Sequence, residues 1–116
     1  MQIVEQIRDV EQLFPRLRER FRETVVERVI FFEAMKARID AGQSPVSALL
    51  DIANLAHKIT GVAATLGFSR SGEYAAALER RIRAGLESGA PIAAIWRDVL
   101  PILDCLLDEL ESLLDT

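Results

Sequence analysis

Residues 45–67 read PVSALLDIANLAHKITGVAATLG. Leu49, Ile52, Ala56, Ile59, Ala63 and Leu66 recur at three- and four-residue spacing, which is one face of a helix. Ser44 precedes the stretch as an N-cap, and Pro45 suits the first helical position. Gly67 suits a left-handed C-cap, with Phe68 folding back onto the last turn. An amphipathic helix of this length must bury its apolar face against other elements, so the neighbouring segments decide what it packs on.

Those neighbours are helical too. Upstream, Leu17, Phe21, Val25, Val29, Phe32, Met35 and Ile39 form a stripe over about 15–41, ended by Gly42. Before that, Ile3, Ile7, Val10 and Phe14 make a shorter stripe. The Phe14–Pro15 step predicts a break between the two, because the residue before a proline is pushed out of the helical region. Downstream, Ser69 or Ser71 opens a helix whose inner stripe is Tyr74 or Ala75, Leu78, Ile82 and Leu86, closed by Ser88–Gly89. The last helix, about 91–114, opens at Pro91. Its apolar positions are Ile92, Ile95, Trp96, Val99, Ile102, Leu103, Leu106, Leu110 and Leu113. Pro101 lies inside it and predicts a kink near 97–101. No stretch alternates as a strand does. The expected fold class is all-α: an antiparallel, up-down four-helix bundle over 15–116, with a short additional helix, 1–14, packed on one end.

The chain has 116 residues, half of them hydrophobic, so it holds one domain with one core. The Met, Phe and Trp positions are expected in that core, and the Arg-rich run from Arg16 to Arg28 on a solvated face beside its Glu partners. A net charge of −4 does not favour nucleic acid. Cys105 is the single cysteine, which rules out an intramolecular disulfide and leaves a buried core thiol as the default. No apolar run reaches membrane-spanning length and no secretory pattern opens the sequence, so a cytoplasmic protein is expected.

His57 is the only histidine. With Ala56 at zero on a helical wheel, His57 falls at about +100°, outside the apolar arc. The imidazole is therefore expected at the edge of the bundle, in reach of water. Ala53, Gly61 and Ala64 surround it with small side chains. A glycine inside a helix costs about 1 kcal/mol relative to alanine. Either another surface approaches closely above the histidine, or a neighbouring helix packs tightly there. An exposed imidazole serves as nucleophile, acid–base group or ligand, and it is also an ordinary surface residue. Nothing marks a hydrolytic triad, a metal-ligand set or a phosphate-binding loop.

The stretch Leu55-Ala56-His57-Lys58-Ile59-Thr60-Gly61-Val62-Ala63-Ala64-Thr65-Leu66-Gly67-Phe68, with Ala77-Leu78-Glu79 in the next helix, resembles the signature of histidine-containing phosphotransfer (HPt) domains. The resemblance covers about 15–114. It implies that His57 is a phosphoacceptor, exchanging a phosphoryl group with the aspartate of a response-regulator receiver domain or a hybrid histidine kinase. It implies that Glu79 orients the imidazole, that Gly61 gives clearance for the partner, and that Lys58 is a candidate phosphoryl contact. Many members carry lysine three residues after the histidine, where this chain has Thr60. The implied docking surface comprises Ala53, Thr60, Ala64 and Phe68, with Lys58 and Arg70 at the rim. No cofactor or metal of its own is implied; the Mg2+ belongs to the partner receiver. The expected state is a monomer. The competing reading is a non-catalytic helical adaptor that binds or sequesters a receiver, or dimerises through residues 2–14 or through Leu107 and Leu114, without phosphotransfer.

Overall fold

A computed structural model describes the backbone of residues 2–115 and the side chains of 11–115. The chain folds into four helices: α1 (Gln2–Asp40), α2 (Pro45–Ala63), α3 (Ser69–Glu87) and α4 (Ile92–Ser112). A 3-10 turn, Leu113–Asp115, follows. Three short turns join the helices. The one after α2 shows how they close: Gly67 takes φ +89°, Phe68 N–H donates to the Ala63 carbonyl at 2.8 Å, and Gly67 N–H donates to that of Ala64 at 3.2 Å. This is a Schellman closure, in which a left-handed residue satisfies the last carbonyls of the helix. Gly42 and Gly89 end α1 and α3 the same way, each with φ +71°.

The core is aliphatic, as the stripes require. Val25, Phe32, Leu49, Ile52, Ile59, Leu78, Ile82, Val99, Leu103, Leu106 and Leu110 are fully buried in one cluster. Polar contacts fix the register around it. Trp96 Nε1 donates to Asp40 at 3.0 Å and Lys36 Nζ to Asp104 at 3.0 Å, tying α1 to α4. Arg81 bonds Asp98 at 2.8 Å across α3 and α4.

Several expectations are corrected. Residues 2–14 are not a separate helix: α1 runs unbroken through Pro15. Proline removes one backbone bond, that to the carbonyl of Glu11, but Pro15 and Glu11 are both exposed and water can take that carbonyl. How the side chains of residues 1–10 sit lies outside the described residues. α4 is continuous through Pro101, which is exposed, so the proline does not split it into two helices. Ser44 precedes α2 but makes no side-chain cap; it sits in the left-handed region at φ 46°, and Phe68, not a serine, precedes α3. Cys105 is exposed, on the outer face of α4. Phe14 and Phe31 are exposed too, whereas Leu107 is buried.

Phe68, just beyond the last turn of α2, stacks on Phe21 of α1, with ring centroids 5.0 Å apart and planes 21° from parallel. The Arg22 guanidinium lies over the Phe68 ring and that of Arg28 over the Phe21 ring. Arg18 Nε donates to the Leu66 carbonyl at 2.7 Å. The arginine run is thus not simply a solvated face: three of its members cover one end of the core through stacking and a backbone bond. Desolvation lowers the pKa of Arg28 from its ordinary value.

α3 and α4 meet at Gly85. A Cβ there would lie 2.8 Å from Cγ1 of the buried Ile95, inside any normal contact distance. Gly85→Ala should therefore destabilise the protein by about 1–3 kcal/mol, although alanine is the better helix former. A lowered thermal midpoint by circular dichroism checks this, and an unchanged or raised midpoint would contradict it.

Candidate functional site

α2 and α3 approach closely because their facing residues are small. Ala53, Ala56, Ala63 and Ala75 are buried between them. At the end of the pair, a Cβ on Gly72 would sit 3.4 Å from the Ala64 backbone nitrogen. The close approach sets the reach of the polar side chains on the outer edge of the seam. His57 Nδ1 lies 3.0 Å from Glu79 Oε1. Glu79 Oε2 accepts from Arg83 Nε at 2.9 Å, and Arg83 Nη2 donates to Asn54 Oδ1 at 3.1 Å. The four side chains form one chain of bonds that starts on α2, crosses to α3 and returns.

The His57 side chain is 73 % exposed, while Glu79 behind it is largely covered. Burial alone would raise the Glu79 pKa. The hydrogen bonds from His57 and Arg83, together with their charges, outweigh it and hold the carboxyl below its ordinary value of 4.5. An ionised carboxylate only accepts, so Nδ1 is the donor in this pair. In the neutral imidazole, a proton on Nδ1 leaves the Nε2 lone pair free, directed away from Glu79.

The remaining sequence-derived candidates fall in different places. Gly61 is exposed, one turn after His57 on the same face, and a Cβ there would meet nothing within 4 Å. Tight packing against a neighbouring helix is therefore not the reason for this glycine. Ala64 is exposed and Phe68 half-buried in its stack on Phe21. Arg70 is exposed and pairs with Glu109 at 3.5 Å. Thr60 is half-buried, and its hydroxyl donates to the Ala56 carbonyl one turn back, at 3.0 Å. Lys58 lines a groove between α1 and α2 with Thr24, Glu27, Arg28, Phe31 and Asn54. His57 leans the other way, toward α3. Ala53 is corrected outright: it is fully buried, because α3 packs on the +60° side of the α2 wheel and widens the core arc to include it.

Arg83 and Asn54 were not anticipated from the sequence. Arg83 had a signal, since it stands four residues after Glu79 and a carboxylate–arginine pair at that spacing faces one way. Asn54 had none. Among the described residues, no three His, Cys, Asp or Glu side chains gather as a metal site, and no helix is long and apolar enough to cross a membrane.

An exposed imidazole braced from behind by a carboxylate, on a rigid helical bundle, suits a protein that carries a group between partners. The Hpt domain family model matches residues 7–116, and the chain belongs to that family. Hpt domains are phosphotransfer intermediates of two-component phosphorelays, and they interact with receiver domains and histidine kinases. No curated protein and no solved structure matches the chain.

The lowered Glu79 pKa has a consequence for stability. The pairing contributes fully above the ordinary carboxylate value and is lost as pH falls through the lower folded-state value. Glu79→Gln should cost more stability near neutral pH than in acid below that folded-state value, where the wild-type carboxyl is itself protonated. Urea unfolding at the two pH values measures this. A cost independent of pH would contradict it.

Proposed function

We propose that His57 is the phosphoacceptor of this Hpt domain and that Glu79, backed by Arg83 and Asn54, is its positioning residue. The observation that carries the reading is the Nδ1–Glu79 contact at 3.0 Å beneath an otherwise exposed ring. Nε2 attacks the phosphorus of a receiver's aspartyl phosphate in line. The N–P bond forms as the bond to the aspartyl oxygen breaks, and the aspartate leaves as a carboxylate with the electron pair. No proton must move, because Nε2 carries none. The ring then bears a positive charge, with the phosphoryl group on Nε2 and the proton on Nδ1. The Glu79 carboxylate faces that charge and lowers the barrier to forming it. Reversal on a second receiver passes the group on.

The receiver is expected to bring the Mg2+ and the lysine that neutralise the phosphoryl oxygens. This chain supplies position. Gly61 leaves room above the ring for the receiver's loops, which offsets in function the helix propensity it forgoes. Lys58 sits on the α1 side of α2, so it reaches the receiver's rim more readily than the phosphoryl group itself. Ala64, Phe68 and Arg70 continue the docking face toward the end of the bundle. The reading includes an up-down antiparallel bundle, which the order of contacts supports: α2 residues 54, 57 and 64 meet α3 residues 83, 79 and 72.

Phosphotransfer from a panel of phosphorylated receiver domains tests the proposal. Wild-type protein should take up acid-labile, base-stable label, and His57→Gln should take up none. Glu79→Ala should slow transfer by roughly one order of magnitude. Gly61→Leu should fold at least as stably as wild type yet lose transfer, because the side chain fills the clearance. Binding of a receiver without transfer by any of the panel would favour the adaptor reading. Label retained in His57→Gln would place the phosphoryl group elsewhere.

A further inference from the structure

α1 buries one face in the bundle through Phe21, Val25, Phe32, Met35 and Ile39. A helix on the outside of a bundle ordinarily turns charged residues to water on its opposite face. The second half of α1 does not. With Phe21 at zero on a wheel, Ile30 falls at about 180°, directly across the helix from the core. Val26, Ala34, Ala37 and Ala41 fall within about 40° of Ile30, with no charged residue between them on that face. All five are exposed, Val26 by 50 % and Ile30 by 63 %. Ile30 is the most exposed large apolar side chain among the described residues. Ala41, just past the helix, keeps the helical bond to the Ala37 carbonyl at 3.0 Å, so the stripe is continuous.

The stripe is graded in size, large at 26 and 30 and small at 34, 37 and 41. A second copy laid antiparallel, with Ile30 on Ile30, sets Val26 against Ala34 and Ala34 against Val26. Large then meets small, and the alanines let the helix axes come close. A parallel copy would set valine on valine and alanine on alanine, which leaves the small positions unfilled.

The charges beside the stripe point the same way. Arg20, Glu23, Glu27 and Arg38 lie along one flank of it, at wheel angles of about 200–260°. Among the described residues none of the four is in an ion pair, and Arg38 reaches only the Met35 sulfur of its own helix, at 3.6 Å. In the antiparallel pair, Arg38 of the second copy comes opposite position 22, beside Glu23. Two carboxylates and two guanidinium groups then gather at each end of the pair. Laid parallel, each of these charges would face its own like. The opposite flank asks nothing of a partner: Arg22 lies over Phe68, and Lys36 pairs with Glu33 and Asp104.

We propose that two copies of this chain associate through the outer face of α1, antiparallel and centred on Ile30. The graded stripe and the unpaired charges on its flank are each complementary to a second copy in that one sense. The paired length, residues 19–41, is about 33 Å. A single helix pair of that length buries less than a standard protein interface, so the dimer is weak and exchanges with monomer. The face lies across α1 from the core, which leaves α2, α3 and His57 of each copy free. This departs from the monomer expected from the sequence.

Sedimentation equilibrium of the full chain tests the proposal, with reductant present to keep the exposed Cys105 a thiol. Wild type should show a monomer–dimer equilibrium below about millimolar concentration. Ile30→Glu sets two carboxylates against each other at the centre of the pair and should raise the dissociation constant at least about thirtyfold. Glu23→Arg and Arg38→Glu should each weaken the dimer, and the two combined should restore it, because the charge pair is then reversed rather than removed. A monomer up to millimolar concentration, or a dimer indifferent to Ile30→Glu, would overturn the proposal. A combined variant no tighter than the single ones would overturn the antiparallel sense. Should Ile30→Glu lose the helical signal of the bundle, Ile30→Ala is read in its place, with a weaker dimer expected and an unchanged one contradicting the proposal.

Discussion

The site depends on how closely α2 and α3 can approach. Alanines at 53, 56, 63 and 75 are buried, and Gly72 lies against Ala63 and Ala64, so small side chains line the approach of the two helices. At that separation His57 and Glu79 meet at 3.0 Å on the rim. A leucine in the seam would push the helices apart by more than a hydrogen bond tolerates, since useful bonds weaken steeply beyond about 3.2 Å. The small residues thus do more than fill the core. They set the distance across which one carboxylate selects the tautomer of one imidazole.

Arg83 and Asn54 extend that selection. Glu79 shares its two oxygens between His57 and Arg83, so the carboxylate cannot rotate without breaking a charge-assisted bond. Arg83 is in turn held by Asn54 on α2, three residues before the histidine. Both ends of the bond chain are anchored on α2, the helix that carries His57. The imidazole ring has an exposed face, and the space beside it at Gly61 is open. At the bundle's nearer end the stacked pair of Phe21 and Phe68, flanked by Arg22 and Arg28, closes the core and fixes the turn after α2.

Much of this was legible because it rests on periodicity. The stripes of α2, α3 and α4 named most of the buried residues, and Gly42, Gly67 and Gly89 named the turns. His57 at the rim followed from its wheel angle, and Glu79 from the family signature. What the sequence misled about was local chemistry overridden by context. Pro15 read as a break, yet it sits on an exposed face where water can take the freed carbonyl, and α1 continues. Ala53 read as surface because the wheel was centred on one helix alone; the side on which α3 packs cannot be known from α2. Arg22 and Arg28 read as solvated, but planar guanidinium groups also cover aromatic rings. Asn54 carries no pattern of its own, because its role depends on a side chain 29 residues away.

The central claim is that Glu79 holds the proton of His57 on Nδ1 and leaves Nε2 free to react. Nitrogen-15 NMR of the imidazole ring, above its titration range, reads this directly. The account predicts a protonated Nδ1 and an unprotonated Nε2 in the wild type, with the preference lost in Glu79→Ala. A wild-type ring with its proton on Nε2, or a tautomer unaffected by removing the carboxylate, would contradict it.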